Sequence, residues 1–528
     1  MTTRDVGQPG GGPAGTAGDR LLLGALLLVA LGARLYALTG DMRFDPAIYA
    51  QYAWNLLHGT FSLRDDSWYA HRFVVFAPVA PCSAVFGVGS LGSRLWPLAL
   101  SLLQVGLVFE LGRRLEGRAT AVLAGLLVAL SPLDAVSGVT LQPDVVVAGF
   151  LCLAASAWIL APEQGRRGAA LWPVVSGAAF ALALQARESA APFALLYAGT
   201  LLWRRGRGRA CLLALLGFAL VLLPTLALYA AAVGDPLHRF RLVADTYGDP
   251  AMREGLGLAF YPSLVRHLRH TETGAFAALF AAGLLAALVR PRGGRVWLLL
   301  WVLPLLLYLQ FGSMSLAEYV PVLKRERYLT CLTAPLALLT ASTLLGGLGW
   351  LLARLAPRLP AARRDGWRNA LLALLVAALA ADSFLIVRDQ RAAGERTARA
   401  FRVVADLIRG EPRLPVLFDH WRTGHRTAYH LGFREGADLY HGADDRARMR
   451  QPVPPARTRL GYLSWYPDSA RVPAALVVLD DDALARVREA SPGVATYFRG
   501  EIPAYAYLPP RSWRLLAAAG TLRVYRSD

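Results

Sequence analysis

The sequence predicts an α-helical polytopic membrane protein of about eleven transmembrane helices, with a small α/β domain at its C-terminal end. Three observations predict it. Hydrophobic residues are 55% of 528 and charged residues 18%, too apolar for an ordinary soluble domain. Apolar runs long enough to cross a bilayer recur over most of the chain. From about residue 388 those runs shorten to strand length.

Residues 1–19 are rich in Gly, Pro and Thr and read as a disordered cytoplasmic tail. The apolar run from Leu21 has no small-residue cleavage site after it, so no cleavable signal peptide is expected. Spans are expected at 20–39, 92–112, 119–134, 144–161, 169–185, 189–203, 210–233, 274–290, 296–312, 328–352 and 369–387. Residues 73–89 are apolar too, but Pro78 and Pro81 favour an interfacial or re-entrant element. The 189–203 run is short for a span and pairs with 169–185 as a hairpin.

Arginines fall on every second loop: Arg113, Arg114 and Arg118; Arg166 and Arg167; Arg204, Arg205, Arg207 and Arg209; Arg290, Arg292 and Arg295; then Arg354, Arg358, Arg363, Arg364 and Arg368. The positive-inside rule makes these loops cytoplasmic. The long polar loops 40–91, 234–273 and 313–327, the short turns 135–143 and 186–188, and the tail 388–528 then face outward. The net charge of +19 is this bias and does not point to nucleic acid, which needs a basic surface on a polar domain. Lys324 is the one lysine among 56 basic residues, an arginine bias expected of a GC-rich bacterial genome and so of a bacterial plasma membrane. Cys82, Cys152, Cys211 and Cys331 lie in or beside apolar runs and read as small buried hydrophobes.

The domain organisation is therefore a membrane domain over 20–387 and an extracytoplasmic domain over 388–528. In the latter, 395–410 reads as an amphipathic helix, and 414–419, 474–480 and 521–526 as strands. His420, His425, His430 and His441 cluster here without the Cys or carboxylate pattern of a metal site. Asp480 to Asp482 cap the helix that follows a strand.

The stretch FDPAIYAQYAWNLLHG (44–59) follows the first span. Asp45 suits an N-cap, Pro46 the first helical position and Gly59 the end. Ile48, Tyr49, Tyr52, Ala53, Leu56 and Leu57 form one apolar face, as in a helix lying at headgroup level. Capping and catalysis are compatible readings of Asp45, since one carboxylate oxygen can cap while the other faces a cleft. Asp144 behind Pro143 reads either as a second cap or as an acid at membrane depth, a functional suspect.

The pattern D-x-A-I-Y-A-x-x-A-x-x-L-L-x-G resembles the first outer loop of polyprenyl-phosphate-sugar-dependent glycosyltransferases of the C-type superfamily. That superfamily includes the protein O-mannosyltransferase-like (family 39) and aminoarabinose-transferase-like proteins. HRFVVFAP (71–78), LGRRLEGRATAVLAGLLVALSP (111–132), QPDVVVAGFLCLA (142–154) and RERYLTCLTAPLALL (325–339) follow in the same order as the family's motifs. The resemblance covers roughly 20–350. One departure is Pro46, where the family often carries a second acid. The resemblance implies an inverting transferase that moves a sugar from a polyprenyl phosphate to an extracytoplasmic acceptor, working against the lipid bilayer. A lipid-linked substrate transporter, or a scaffold without chemistry, is the alternative; the absence of evident internal repeats disfavours transport.

Such chemistry needs a carboxylate to take the acceptor proton and fixed positive charge for the leaving phosphate. Asp45 and Asp144 are the expected catalytic acids. Lys324, Arg325 and Arg327 are the expected phosphate contacts, because cations on the outer side run against the charge bias. A basic patch on lipid headgroups is the plainer reading of the same three residues. His71 and Arg187 are further phosphate candidates. Arg187 reads equally as an ion pair with Glu188, and His71 as an interfacial histidine. Tyr49 and Tyr328 are the expected substrate contacts. No metal ligands or cofactor are assigned, and a divalent cation is left open.

Overall fold

The computed structural model describes residues 16–42, 44–65, 67–89, 91–161, 169–203, 207–248, 274–291, 293–313, 319–322, 325–433, 459–466, 468–489 and 502–527. Every expected span is helical: α1 (Ala17–Ala37), α5 (Leu95–Leu115), α6 (Arg118–Leu130), α8 (Pro143–Ile159), α9 (Leu171–Ala186), α10 (Ala194–Trp203), α11 (Gly208–Val233), α13 (Gly274–Val289), α14 (Gly294–Phe311), α15 (Thr330–Leu355) and α16 (Ala361–Gly410). Among the described residues six helices are long and apolar enough to cross a bilayer. The chain is a multi-pass membrane protein.

Several edges differ from expectation, each for a local reason. The first helix starts inside the stretch read as tail, because Thr16 and Asp19 form a reciprocal capping box. The expected 119–134 span stops at Leu130. Ser131 caps a new short helix, α7 (Pro132–Ser137), with proline at its start. The short 189–203 run divides into a 3₁₀ turn over Glu188–Phe193 and α10, with Pro192 at the division. The segment 73–89 folds as two short helices, α3 (Phe73–Phe76) and α4 (Val79–Phe86), in keeping with its prolines.

In the bundle, α8 is buried along its whole length except Leu153, whereas α11 exposes Leu212, Leu215, Leu220 and Leu223. One is the interior helix and the other faces lipid. Small residues set close approaches. A Cβ on Gly177 would lie 1.7 Å from the Ala214 carbonyl oxygen, and one on Gly217 2.0 Å from that of Val174, so α9 and α11 meet backbone to backbone. The fully buried Arg34 closes the end of α6: it donates to the carbonyls of Ala129 (2.7 Å) and Val128 (3.2 Å) and to Ser101 Oγ (2.9 Å).

The expected boundary at 388 falls inside α16, which runs 50 residues without a break. The last span and the amphipathic helix 395–410 are one rod. Beyond it lies a five-stranded sheet of order β2-β1-β3-β5-β4, with β1 (Val416–Phe418), β2 (Leu460–Tyr462), β3 (Ala475–Asp480), β4 (Arg514–Ala519) and β5 (Leu522–Ser527). Strand β1 pairs in parallel with β2 and β3, and β5 runs antiparallel to both β3 and β4. The three expected strands are β1, β3 and β5; β2 and β4 were not foreseen. Helix α18 (Asp481–Glu489) follows β3, and Asp480 Oδ1 accepts from the Asp482 amide at 3.1 Å, as expected of a cap.

The stretch 44–59 folds as α2 (Phe44–Leu57) and ends at Gly59, whose φ of +70° suits glycine alone. It does not lie on a lipid surface. Residues 46–53 are buried, while Leu56 and Leu57, expected on the buried face, are 37% and 41% exposed. What covers it on one side is α17 (Trp421–His430) of the sheet domain, with His425 Nδ1 3.2 Å from Gln51 Oε1 and the next residue, Arg426, paired to Asp41 at 2.9 Å.

Candidate active site

At the end of the bundle that carries the sheet domain, charged side chains from six segments meet. Asp45 lies in the first turn of α2, not before it, so it is no N-cap. Its Oδ1 accepts from the Tyr69 hydroxyl at 2.8 Å and its Oδ2 pairs with Arg327 at 2.8 Å. Arg327 stands in the 3₁₀ turn Glu326–Leu329 that opens α15, and its Nε reaches Asp144 Oδ2 at 3.3 Å. Asp144 sits in the first turn of α8, behind Pro143 at the helix start. Arg187 donates to Asp144 Oδ1 at 2.6 Å and lies 3.6 Å above the Tyr328 ring. The result is an alternating line, Asp45–Arg327–Asp144–Arg187.

A second line runs beside it. Glu188 pairs with Arg72 at 3.2 Å and with Arg239 of α12 (His238–Gly248) at 2.7 Å. Arg72 also donates to the Tyr49 hydroxyl at 3.2 Å, and the Tyr49 and Tyr69 rings meet edge-on at 5.3 Å. The two aromatics thereby join the two lines.

Exposure separates the members. The Asp144 side chain is 3% exposed, whereas Asp45 is 19% and Arg327 27% exposed. Of the two acids paired to Arg327, Asp45 is thus the one an incoming group can reach; Glu188, on the second line, is 25% exposed and engaged by two arginines. Burial pushes its pKa up, but Arg327 and the Tyr69 hydroxyl more than offset this, and the carboxyl is held below its usual range. Burial likewise raises Glu188, and Arg239 with Arg72 bring it down to about 2. Both are anions at neutral pH. Among the described residues, four guanidinium groups face three carboxylates, Asp45, Asp144 and Glu188, a net positive charge.

The other expected residues divide. Tyr49 and Tyr328 both belong to the cluster. Arg187, read equally as a phosphate contact or a partner of Glu188, pairs with Asp144. Arg325 is exposed, and Lys324 lies outside the described residues. His71 stands apart: its ring nitrogens lie 2.9 Å from the Tyr229 hydroxyl and 2.7 Å from the Asp65 carbonyl. Burial there lowers its pKa to about 4, so it is neutral and held by its neighbours. Sequence reasoning missed Tyr69, Arg72 and Arg239. The two arginines carried a signal, since they too stand in loops expected on the arginine-poor side. In the sheet domain, His420 Nδ1 caps α17 by accepting from the Arg422 amide, His430 stacks on Phe401, and His441 lies outside the described residues. Among the described residues, no group of three or more His, Cys, Asp or Glu side chains is placed to share a cation.

A family model, dolichyl-phosphate-mannose-protein mannosyltransferase, matches residues 70–230, which include Arg72, Asp144, Arg187 and Glu188. No curated protein matches the chain. Among solved structures it is similar to ArnT from Cupriavidus metallidurans in the apo state, with a TM-score of 0.64 and 15% identity over 97% of this chain and 99% of that one. The same protein bound to undecaprenyl phosphate gives 0.63 at 16% identity, over the same shares. The archaeal oligosaccharyltransferase AglB from Archaeoglobus fulgidus, in complex with an inhibitory peptide and a dolichol-phosphate, gives 0.53 at 14% identity over 97% of this chain and 74% of that one. At these identities the likeness is one of fold, and it extends through the sheet domain. The family match lies inside this shared fold, over residues 70–230 of the 528.

Proposed function

We propose that the protein is an inverting glycosyltransferase that moves a sugar from a polyprenyl phosphate to an acceptor outside the cytoplasm. The observation that carries this reading is a water-reachable carboxylate, Asp45, set among guanidinium groups in surplus. In the reaction the acceptor hydroxyl oxygen bonds to the anomeric carbon, its proton passes to Asp45, and the bond from that carbon to the phosphate oxygen breaks. The polyprenyl phosphate leaves as an anion, stabilised by the arginines. Arg327 is the pivot. Bound to Asp45 it keeps the carboxylate a weak base; a phosphate oxygen that draws Arg327 away returns Asp45 towards its usual range and makes it a stronger one. Arg72 and Arg239 share the single carboxylate of Glu188, so they suit a phosphate as well. Lys324 and Arg325 complete the proposed donor contacts from the preceding loop. A divalent cation would have to compete with guanidinium groups for each carboxylate.

The lipid-phosphate ligands of the ArnT and AglB structures support a polyprenyl-phosphate donor here. The alternation of arginine-rich loops supports a bacterial plasma membrane location with the site and sheet domain outside the cytoplasm. The test is incubation of purified protein with a panel of radiolabelled polyprenyl-phosphate sugars, reading hydrolysis and transfer. Release of label by the native protein and its loss in Asp45→Asn are expected. A panel left intact by native protein would overturn the reading.

A further inference from the structure

Helix α17 of the sheet domain lies against α2, the helix that carries Asp45. The register is fixed at two points: Arg426 pairs with Asp41 at 2.9 Å, and His425 meets Gln51 at 3.2 Å. Both flank Asp45 in sequence, one before it and one after. On α17, residues 422, 425, 426 and 429 share one face by helical spacing. The two that follow Arg422 touch the chain around Asp45, and Tyr429 is buried on the same face. Arg422, half-buried like Arg426, stands on that face one turn nearer the helix start.

We propose that Arg422 is a positioning residue for the Asp45 carboxylate, so that the sheet domain forms one wall of the reacting centre. This deepens the functional reading above and rests on it for the role of Asp45. The groups that face Asp45 come from four segments: Arg327 from the turn before α15, Tyr69 from the loop after α2, Tyr49 from α2 itself and Arg422 from α17. After burial and the contacts with Arg327 and Tyr69, the charge of Arg422 adds to the lowering of the Asp45 pKa. Arg327 is also engaged with Asp144, and a donor phosphate competes for it. Arg422 stands on the face of α17 that meets the chain around Asp45, and it comes from the domain remote from the bundle. It keeps the carboxylate ionised and oriented while Arg327 turns to the phosphate.

The test compares the native protein with Arg422→Met, which keeps length without charge, and Arg422→Lys. Arg422→Gln replaces the Met variant if that lowers the melting midpoint. The carboxylate infrared band that disappears in Asp45→Asn is titrated with pH in each. Its midpoint is expected to rise in Arg422→Met and to return in Arg422→Lys, with the melting midpoint unchanged. In the transfer assay the acid limb moves the same way, and kcat on that limb falls by about tenfold with little change in the KM for donor. A band midpoint identical in the native and Met proteins overturns the inference. The band titrates whatever the donor, so a missing transfer activity counts against the functional reading alone.

Discussion

Asp45 and Asp144 occupy equivalent places, the first turns of two helices, where the helix dipole favours an anion. Their exposure divides their work. Asp144 is sealed between Arg187 and Arg327, and Asp45 is open on one side. Asp45→Asn keeps the hydrogen-bonding shape and removes the base. It is expected to leave a folded protein that binds donor and transfers sugar roughly a hundredfold more slowly, read from single-turnover transfer and donor binding side by side. Asp144→Asn strips a buried partner from two arginines and is expected to lower the melting midpoint first. Glu188 gives a pH signature of its own. Its folded pKa, about 2, lies below the ordinary glutamate value of 4.5, so its contribution to stability is present above the ordinary value. That contribution is lost as pH falls through about 2. In Glu188→Gln the melting midpoint is expected to depend less on acid pH over that interval than in the native protein. At this scale the acids were legible because a carboxylate beside an apolar run is conspicuous. Their partners were not: Tyr69 lies 24 residues from Asp45 and Arg239 51 residues from Glu188, and only folding brings them within reach.

Among elements, the helices could be read and their company could not. Hydropathy located each span, and Pro78 and Pro81 marked 73–89 as interrupted, but the breaks at Pro132 and Pro192 fall inside expected spans. The aromatics of α2 were assigned to a lipid surface, because a single sequence cannot show that a helix of a remote domain, α17, would lie over them. Strands β2 and β4 escaped notice for a related reason: β2 has three residues, and β4 is an edge strand of mixed exposure. The packing of α9 on α11 yields a sharper expectation. Gly217→Ala forces two backbones apart, since its Cβ meets a carbonyl oxygen at 2.0 Å, whereas Gly346→Ala meets nothing within 4 Å. The first is expected to lower the melting midpoint in detergent, by roughly 1–3 kcal/mol of stability, and the second to leave it unchanged.

For the whole molecule, the arginine alternation predicts which way the bundle sits. A reporter active only in the cytoplasm, fused after Asp528, is expected to be silent, and the same reporter in the Arg204–Arg209 loop to be active. The reverse pattern would place the site on the wrong side for an extracytoplasmic acceptor. The continuity of α16 carries a further consequence. Above its span it is clamped to the end of α1 and the chain just after it, by Arg391 on the Tyr36 carbonyl and Glu395 on the Gly40 amide, and its last turns support the sheet. With no joint between them, the azimuth of the sheet about the rod is a matter of residue count. One residue inserted just beyond Arg396 turns everything above it by about 100° and carries Arg426 away from Asp41; seven restore the phase to within about 20° while adding about 10 Å of height. Transfer activity should therefore fall and partly recover with the period of the helix as residues are added, as with two gears on one shaft.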